Sequence, residues 1–401
     1  MEKHRHNPDK CTACTTCTVH CPVSAATRDF NGPKLTGPAL TRFRYSGQQE
    51  EPSLEYCSNC KNCDISCPSG VPVSTLNMLA KGEYYRGRPH KLRDWILAHG
   101  ETMAKLASPL APLSNFGTSL PLTKAVLKKI GIASQVPLPR YSFNTFAKRF
   151  KNIKQQPYPD KVVFFPGCYV NYNDPQTGVD LVAVMQANKI EVILPEGLKC
   201  CGCPTVSNGF LDEAGDNATA NIKALKKWVD QGYPVIACCP SCTLMLKQEY
   251  GELFDLPDTA AVAARVYDAA EYLLELEEQG KLNTQFAELS GRYIYHAPCH
   301  LRAQGIGRPS LEILQKIPGI EIEDADAGCC GISGSYGFKD DRYEIAMQVG
   351  SSLFEAVKAS GVATVLTDCG TCRVQIEHGT GVKTLHPMSI IRQAYEGGKR
   401  K

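Results

Sequence analysis

EVILPEGLKCCG (residues 191–202) and EIEDADAGCCG (residues 321–331) place a pair of adjacent cysteines followed by glycine twice in one chain. The cysteines around them recur at a nearly fixed offset. Cys168 to Cys299 is 131 residues, Cys201 to Cys330 is 129, and Cys239 and Cys242 return as Cys369 and Cys372 after 130. The neighbouring residues match too: VVFFPGC (162–168) answers YIYHAPC (293–299), and PVIACCPSC (234–242) answers ATVLTDCGTC (363–372). A duplicated domain accounts for all of this.

Each copy reads as strand, helix, strand, loop, helix, strand. KVVFF and PVIA are short apolar runs of the buried-strand kind. GVDLVAVMQAN and NIKALKKWVDQG carry apolar residues at helical spacing, the second stopping at Gly232. Such alternation predicts an α/β layer structure with a parallel sheet. Cys168, Cys239, Cys299 and Cys369 each follow a strand, and ligands in open α/β sheets sit outside the carboxyl ends of strands. Two sets of five are thereby expected: Cys168, Cys200, Cys201, Cys239, Cys242, and Cys299, Cys329, Cys330, Cys369, Cys372. Five thiolates exceed what one zinc ion uses and suit a polynuclear iron–sulfur centre. Gly202 and Gly331 are expected to free the backbone for φ > 0 or for close approach. Cys203 has Ile332 as its counterpart, so it leaves the ligand set; Cys238 is the other spare, and both read as buried thiols.

The N-terminal cysteines follow a different rule. CTACTTCTVHCP (11–22) and CSNCKNCDISCP (57–68) share the spacing C-x2-C-x2-C-x3-C-P. Three thiolates two residues apart wrap three corners of a cubane, and the fourth reaches the other cluster. The expected sets are Cys11, Cys14, Cys17 with Cys67, and Cys57, Cys60, Cys63 with Cys21. Zinc prefers two separated C-x2-C pairs, which this spacing does not provide.

The chain has 401 residues, 20 cysteines and a net charge of +3, so no overall polyelectrolyte role is implied. The polar start MEKHRHNPDK has no secretory h-region, and no apolar run approaches a spanning helix, so a reducing cytoplasm is the expected compartment. No G-x-G-x-x-G follows a strand and no P-loop is visible, so chemistry on an organic substrate is expected in a partner chain. Residues 81–161 hold 15 Lys or Arg against 4 Asp or Glu, leaving −8 for the remainder. There Trp95, Ile96, His99, Met103 and Leu106 are expected to share one helical face, and Leu122, Val126 and Ile130 another, beside Lys124, Lys128 and Lys129. The alternatives are a membrane-surface helix and a linker packed on the domains. Nucleic acid is not expected, because no nucleic-acid motif accompanies the charge. His296 and His300 flank Cys299, and Arg302 and Arg373 lie beside cluster cysteines; each reads either as a tuning group or as a structural one.

Beyond the cysteines, NGPKLTGP (31–38), YCSNCKNCDISCPS (56–69), LPRYSFNTF (138–146), GCYVNYNDPQ (167–176), CCGISGSYGFK (329–339) and TDCGTCRVQIE (367–377) carry a resemblance over nearly the whole chain. It resembles the C-subunit family of anaerobic glycerol-3-phosphate dehydrogenases. The paired-cysteine repeats look like the CCG domains of heterodisulfide reductase B subunits. The resemblance implies an N-terminal, mainly helical, two-[4Fe–4S] ferredoxin-type domain (1–90) and a basic amphipathic connecting segment (91–160). Two α/β CCG domains would follow (161–290 and 291–401). It implies two cubane [4Fe–4S] clusters and up to two noncubane ones on the five-cysteine sets. It also implies a non-catalytic subunit that passes electrons from a flavoprotein partner to membrane quinone, menaquinone in particular, at the inner face of the membrane. The competing expectations are the iron–sulfur subunit of a glycolate or lactate oxidase, disulfide reduction at a CCG cluster, and a zinc scaffold.

Overall fold

Val162, Val163 and Phe164 are fully buried, as a strand covered on both faces requires. In the computed structural model, which describes residues 6–44 and 51–397, they form most of β1 (Asp160–Phe164). β1 pairs in parallel with β2 (Ile190–Ile193) on one side and β3 (Val235–Ala237) on the other; β3 then pairs with β4 (Val266–Asp268). The second copy repeats this order with β5 (Gly291–Tyr295), β6 (Ile320–Asp324), β7 (Thr364–Leu366) and β8 (Lys383–Leu385). The strand orders are β2-β1-β3-β4 and β6-β5-β7-β8, and every pairing is parallel. The helices that connect them include Leu211–Val229, which runs to just short of Gly232. β4 and β8 go beyond the strands expected from the sequence. Each is three residues long, too short to display a periodicity, and is defined only by its pairing partner.

The copies face each other in a reciprocal arrangement. Helix α1 (Pro175–Ala187) of the first packs on α2 (Pro387–Tyr395) of the second. The equivalent helices, Ala269–Glu278 and Pro309–Leu314, make the matching contact. Leu181, Met185, Leu273, Leu314, Ile390 and Ile391 thus belong to one apolar core that spans both halves.

The N-terminal region is helical, in short pieces: Thr16–Val19, Pro22–Ala26, Asn62–Ile65 and the longer Val73–Tyr85. It is tied together by its loops rather than by a sheet. The basic stretch departs from the expected amphipathic helix. Trp95 and Leu106 do not lie on one continuous helix, because the backbone at His99 (φ −101°, ψ 41°) separates Leu92–Ala98 from Gly100–Ala107. The imidazole of His99 is fixed at that break by the Trp95 carbonyl at 2.7 Å and by Glu213 at 2.5 Å. Leu122 and Val126, on the helix Pro121–Lys129, are exposed, and that helix buries none of its residues.

Ile391→Ala removes a fully buried side chain from the shared core. It is expected to cost about 2–5 kcal/mol. Because the core is common, both halves should lose stability together in calorimetry of the metal-loaded chain; two transitions, with only one displaced, would contradict a shared core.

Candidate metal centres

In the parallel order β2-β1-β3-β4 the chain turns to opposite sides after β1 and after β3. A crevice opens where the direction reverses, at the carboxyl ends of those strands. β1 leads to Cys168 on the helix Gly167–Tyr172, the loop after β2 carries Cys200 and Cys201, and β3 leads to Cys239 and Cys242 at the helix Pro240–Leu244. All five reach one place. Sγ of Cys200 is 3.7 Å from Sγ of Cys168, and thiol hydrogen bonds run on through Cys201 and Cys242 to Cys239. The second copy shows the same chain from Cys299 through Cys329, Cys330 and Cys372 to Cys369, with Cys330 and Cys372 sulfurs 3.2 Å apart.

The thiols titrate in the same pattern in both copies. Hydrogen bonds from Cys168 and Cys201 hold Cys200 well below the usual thiol range, and those of Cys299 and Cys330 do the same for Cys329. A hydrogen bond from Cys372 brings Cys369 down to about 6. The remaining partners are pushed up, Cys168, Cys201, Cys242, Cys299, Cys330 and Cys372 by the thiol bonds they donate and by burial. Five closely packed sulfurs that must share protons are stable as thiolates only beside compensating positive charge, which a polynuclear metal centre would supply. All 20 cysteines are free thiols.

The glycine after each pair adopts the left-handed region, φ +88° at Gly202 and +89° at Gly331. A Cβ on Gly331 would stand 1.9 Å from the Ala346 carbonyl oxygen, so the helix Tyr343–Ser360 packs directly on the paired-cysteine loop. In the first copy Tyr250 donates from its hydroxyl to the Cys201 carbonyl at 2.9 Å, and Asn221 donates to Tyr250 at 2.9 Å. Glu101, from the basic stretch, accepts from the Cys200 amide at 2.7 Å.

The N-terminal motifs repeat in the backbone as well as in spacing. Ala13 and Thr15 have φ of 59° and 63°, and the equivalent Asn59 and Lys61 have 55° and 63°. These left-handed residues curl each loop so that its thiols face inward. One hollow is lined by Cys11, Cys14, Cys17 and Cys67, and another by Cys21, Cys57, Cys60 and Cys63. Cys14 is exposed, and the Thr16 hydroxyl lowers its thiol; Cys57, Cys60 and Cys63 are buried and raised by that burial.

Cys17 and Cys63 share an apolar cluster that joins the two N-terminal sets. Cys60 lies in the field of Cys329 and Cys299 of the second copy, while Cys21 and Cys57 share an apolar cluster with Cys200, Cys201 and Cys242 of the first. Cys203, on neither set, lies between Cys239 and Cys200 of one copy and Cys369 of the other. Cys238 belongs to the shared core, where its carbonyl accepts from His386 at 2.9 Å.

The residue after the first cysteine of each copy crosses to the other. Tyr169 packs against Gly370, beside Cys369; a Cβ there would meet its ring at 2.1 Å. His300, its counterpart, donates from Nε2 to the Asn59 carbonyl and accepts the Ser241 hydroxyl at Nδ1, both at 2.8 Å. Ser241 sits between Cys239 and Cys242 and Asn59 between Cys57 and Cys60, so one imidazole fixes three cysteine loops. His296 is buried with Nε2 unpartnered, and its ring nitrogen lies within 4.8 Å of the Cys330 and Cys372 sulfurs. Burial pulls this imidazole down to about 4, which leaves it neutral. Arg302 keeps buried nitrogens without partners, whereas Arg373 pairs with Asp174 of the other copy at 2.5 Å. That ion pair is partly buried and spans the two copies.

Sequence reasoning missed the anchor of the second N-terminal loop. Lys61 is buried against Glu249 at 3.1 Å, Glu252 at 3.4 Å and Asp64 at 3.6 Å, and Asn59 donates to Glu249 at 3.0 Å. A lysine between two cluster cysteines was the available signal; two of its carboxylate partners are far along the chain. Lys61→Met leaves Glu249 buried without its cation and is expected to cost about 3–5 kcal/mol. Denaturant unfolding of the metal-loaded chain measures this, and a loss below about 1 kcal/mol would show that the quartet does not hold the loop.

Residues 162–247 and 293–377 each match the family of cysteine-rich (CCG) domains, and residues 7–71 match the 4Fe-4S dicluster domain. The C subunit of the anaerobic glycerol-3-phosphate dehydrogenase of Escherichia coli (strain K12) is 38% identical over 96% of this chain and 98% of that protein. The B subunit of a fumarate reductase (CoM/CoB) of Methanothermobacter marburgensis is 27% identical over 96% of this chain and 72% of its own. A lactate utilization protein A 2 of Bacillus cereus is 27% identical over 45% of this chain and 74% of its own.

Proposed function

The chain belongs to the family of anaerobic glycerol-3-phosphate dehydrogenase C subunits, and from that premise we propose that it carries electrons from a flavoprotein partner to membrane quinone, menaquinone in particular. The flavoprotein oxidises glycerol 3-phosphate to dihydroxyacetone phosphate. The observation that carries the reading is the adjacency of the four cysteine sets: Cys17 and Cys63 share one apolar cluster, Cys60 lies in the field of Cys329, and Cys21 and Cys57 share a cluster with Cys200, Cys201 and Cys242.

When bound, iron–sulfur clusters supply reversible one-electron chemistry. Cys11, Cys14, Cys17 and Cys67 would hold one cubane [4Fe–4S] cluster, and Cys57, Cys60, Cys63 and Cys21 a second. Cys168, Cys200, Cys201, Cys239 and Cys242, and Cys299, Cys329, Cys330, Cys369 and Cys372, would each hold a noncubane cluster. His296 stands beside the last of these as a neutral donor. The rest of the chain holds their loops in register through Lys61, Tyr169 and His300. We divide it into a ferredoxin-type domain (1–90), a connecting segment (91–160) and two CCG domains (161–290 and 291–401).

Peripheral contact with the inner face of the membrane is supported by the connecting segment. Leu106, Leu110, Leu113, Phe116, Leu122 and Val126 are all exposed there, next to Lys105, Lys124, Lys128 and Lys129. Apolar side chains flanked by lysines suit an anionic bilayer surface. Among the described residues no helix is long and apolar enough to cross a membrane.

A second reading, the iron–sulfur subunit of a lactate- or glycolate-oxidising complex, draws on the likeness to the lactate utilization protein, which extends over less than half of the chain. Anaerobic reconstitution separates the two. With the flavoprotein of glycerol 3-phosphate oxidation, quinone reduction should depend on this chain. Equal rates of quinone reduction without it would sink the proposal, and coupling only to a lactate or glycolate oxidase would replace it with the second reading.

A further inference from the structure

The connecting segment holds a cavity that the role proposed above leaves unused. It lies between the helices Ala111–Ser119 and Pro121–Lys129 and the extended chain 133–140, has a volume of about 380 Å³, and opens to solvent. Small-molecule sites commonly measure roughly 300–1,000 Å³. Phe116, Leu127, Val136 and Leu138 make its walls apolar, and Asn115, Lys124 and Arg140 bring polar groups to it. Asn115 is locked in place: its amide donates to the Tyr141 carbonyl at 2.8 Å and accepts from the Tyr141 amide at 2.9 Å. Its second amide hydrogen is left to a ligand.

Two walls of the cavity lead to cysteine sets. Ala133 and Val136 are buried in the same apolar cluster as Cys330, Cys369 and Cys372. Ala133 also donates its amide to the Phe338 carbonyl at 2.8 Å, in the loop that follows Cys330. On the other side, Tyr141 lies in the field of Cys168, and the neighbouring Arg140 carbonyl accepts from Asn173 of the first copy at 3.0 Å. Of the lining residues, Phe116 is apolar and exposed, and Lys124 and Arg140 are basic and exposed. A partly apolar chamber whose wall at Ala133 and Val136 is continuous with the second five-cysteine set, with Phe116, Lys124 and Arg140 exposed on its lining, fits a flat apolar acceptor that carries two carbonyl oxygens and a long hydrocarbon tail.

Resting on the electron-transfer reading, we infer that this cavity receives the ring of an isoprenoid quinone, whose tail runs out past the exposed Phe116. Asn115 donates to one quinone carbonyl. Reduction adds two electrons and two protons, so that both carbonyl oxygens become hydroxyls. The electrons come from the substrate oxidised on the flavoprotein and the protons from water at the open mouth. Lys124 and Arg140 favour the negative charge that builds on the oxygens before the protons arrive.

The test uses a photoreactive naphthoquinone on the metal-loaded chain, with labelled peptides mapped by mass spectrometry. Label should concentrate in residues 112–140. Ser119→Trp and Ser134→Trp, at two positions that line the cavity without being buried, place a large ring inside it. Each should lower labelling by about tenfold or more. Each should also slow quinone reduction by a similar factor, while bleaching of the chain's visible absorbance by substrate-reduced flavoprotein stays unchanged. Label spread along the exposed apolar face and insensitive to both variants would mean lipid-like adsorption and would overturn the inference, as would label mapped elsewhere. The labelling requires no flavoprotein, so it decides the cavity's role independently. Failure of the flavoprotein to bleach the chain at all would count against the electron-transfer reading instead.

Discussion

Everything in this molecule depends on bringing five thiols from three distant segments to one point, twice. A parallel sheet achieves this because its crossovers return every strand in the same direction, so that all carboxyl ends lie along one edge. The reversal between β1 and β3, and between β5 and β7, then opens the crevice at the edge where the cysteines emerge. Neither copy could form its site from a hairpin or a single loop. The strands themselves are short, three to five residues, and the inner ones, β1, β3 and β7, are stabilised by burial rather than by length.

The second constraint is the pairing of the copies. Each sends the residue after its first cysteine, Tyr169 or His300, into the last cysteine loop of the other. The 57–63 loop is wedged against both, held to the first copy through Asn59 and Lys61 on Glu249 and to the second through the His300 bond. Ser333 adds a bond to the Ser58 carbonyl at 3.0 Å. Buried polar contacts of this kind are costly when incomplete. Together they fix the spacing between sites, and electron transfer depends on that spacing. The departures from symmetry are local: His296 stands where the first copy has Phe165, and Cys203 where the second has Ile332.

Local patterns in the chain were enough to read which cysteines the fold gathers, the duplication, the strands at KVVFF and PVIA, and the left-handed glycines after each pair. Each of these is encoded within a few residues or by direct repetition. The neighbour relations of the sets were not legible. That Cys60 borders Cys329 follows from how whole domains pack, and no spacing carries that information. The Lys61 quartet was hidden for the same reason, because its partners Glu249 and Glu252 lie in another domain. The expected helix through Trp95 and Leu106 failed at His99 because side-chain bonds to Trp95 and Glu213 outweighed the apolar periodicity.

The central claim is that all four cysteine sets hold iron–sulfur centres. Anaerobic quantification of iron and acid-labile sulfide, with EPR of the reduced chain, tests it most directly. Four occupied sets predict about sixteen iron atoms per chain, matched by sulfide, with signals from four centres. Zinc in place of iron, or about eight iron atoms with both five-cysteine sets empty, would contradict it.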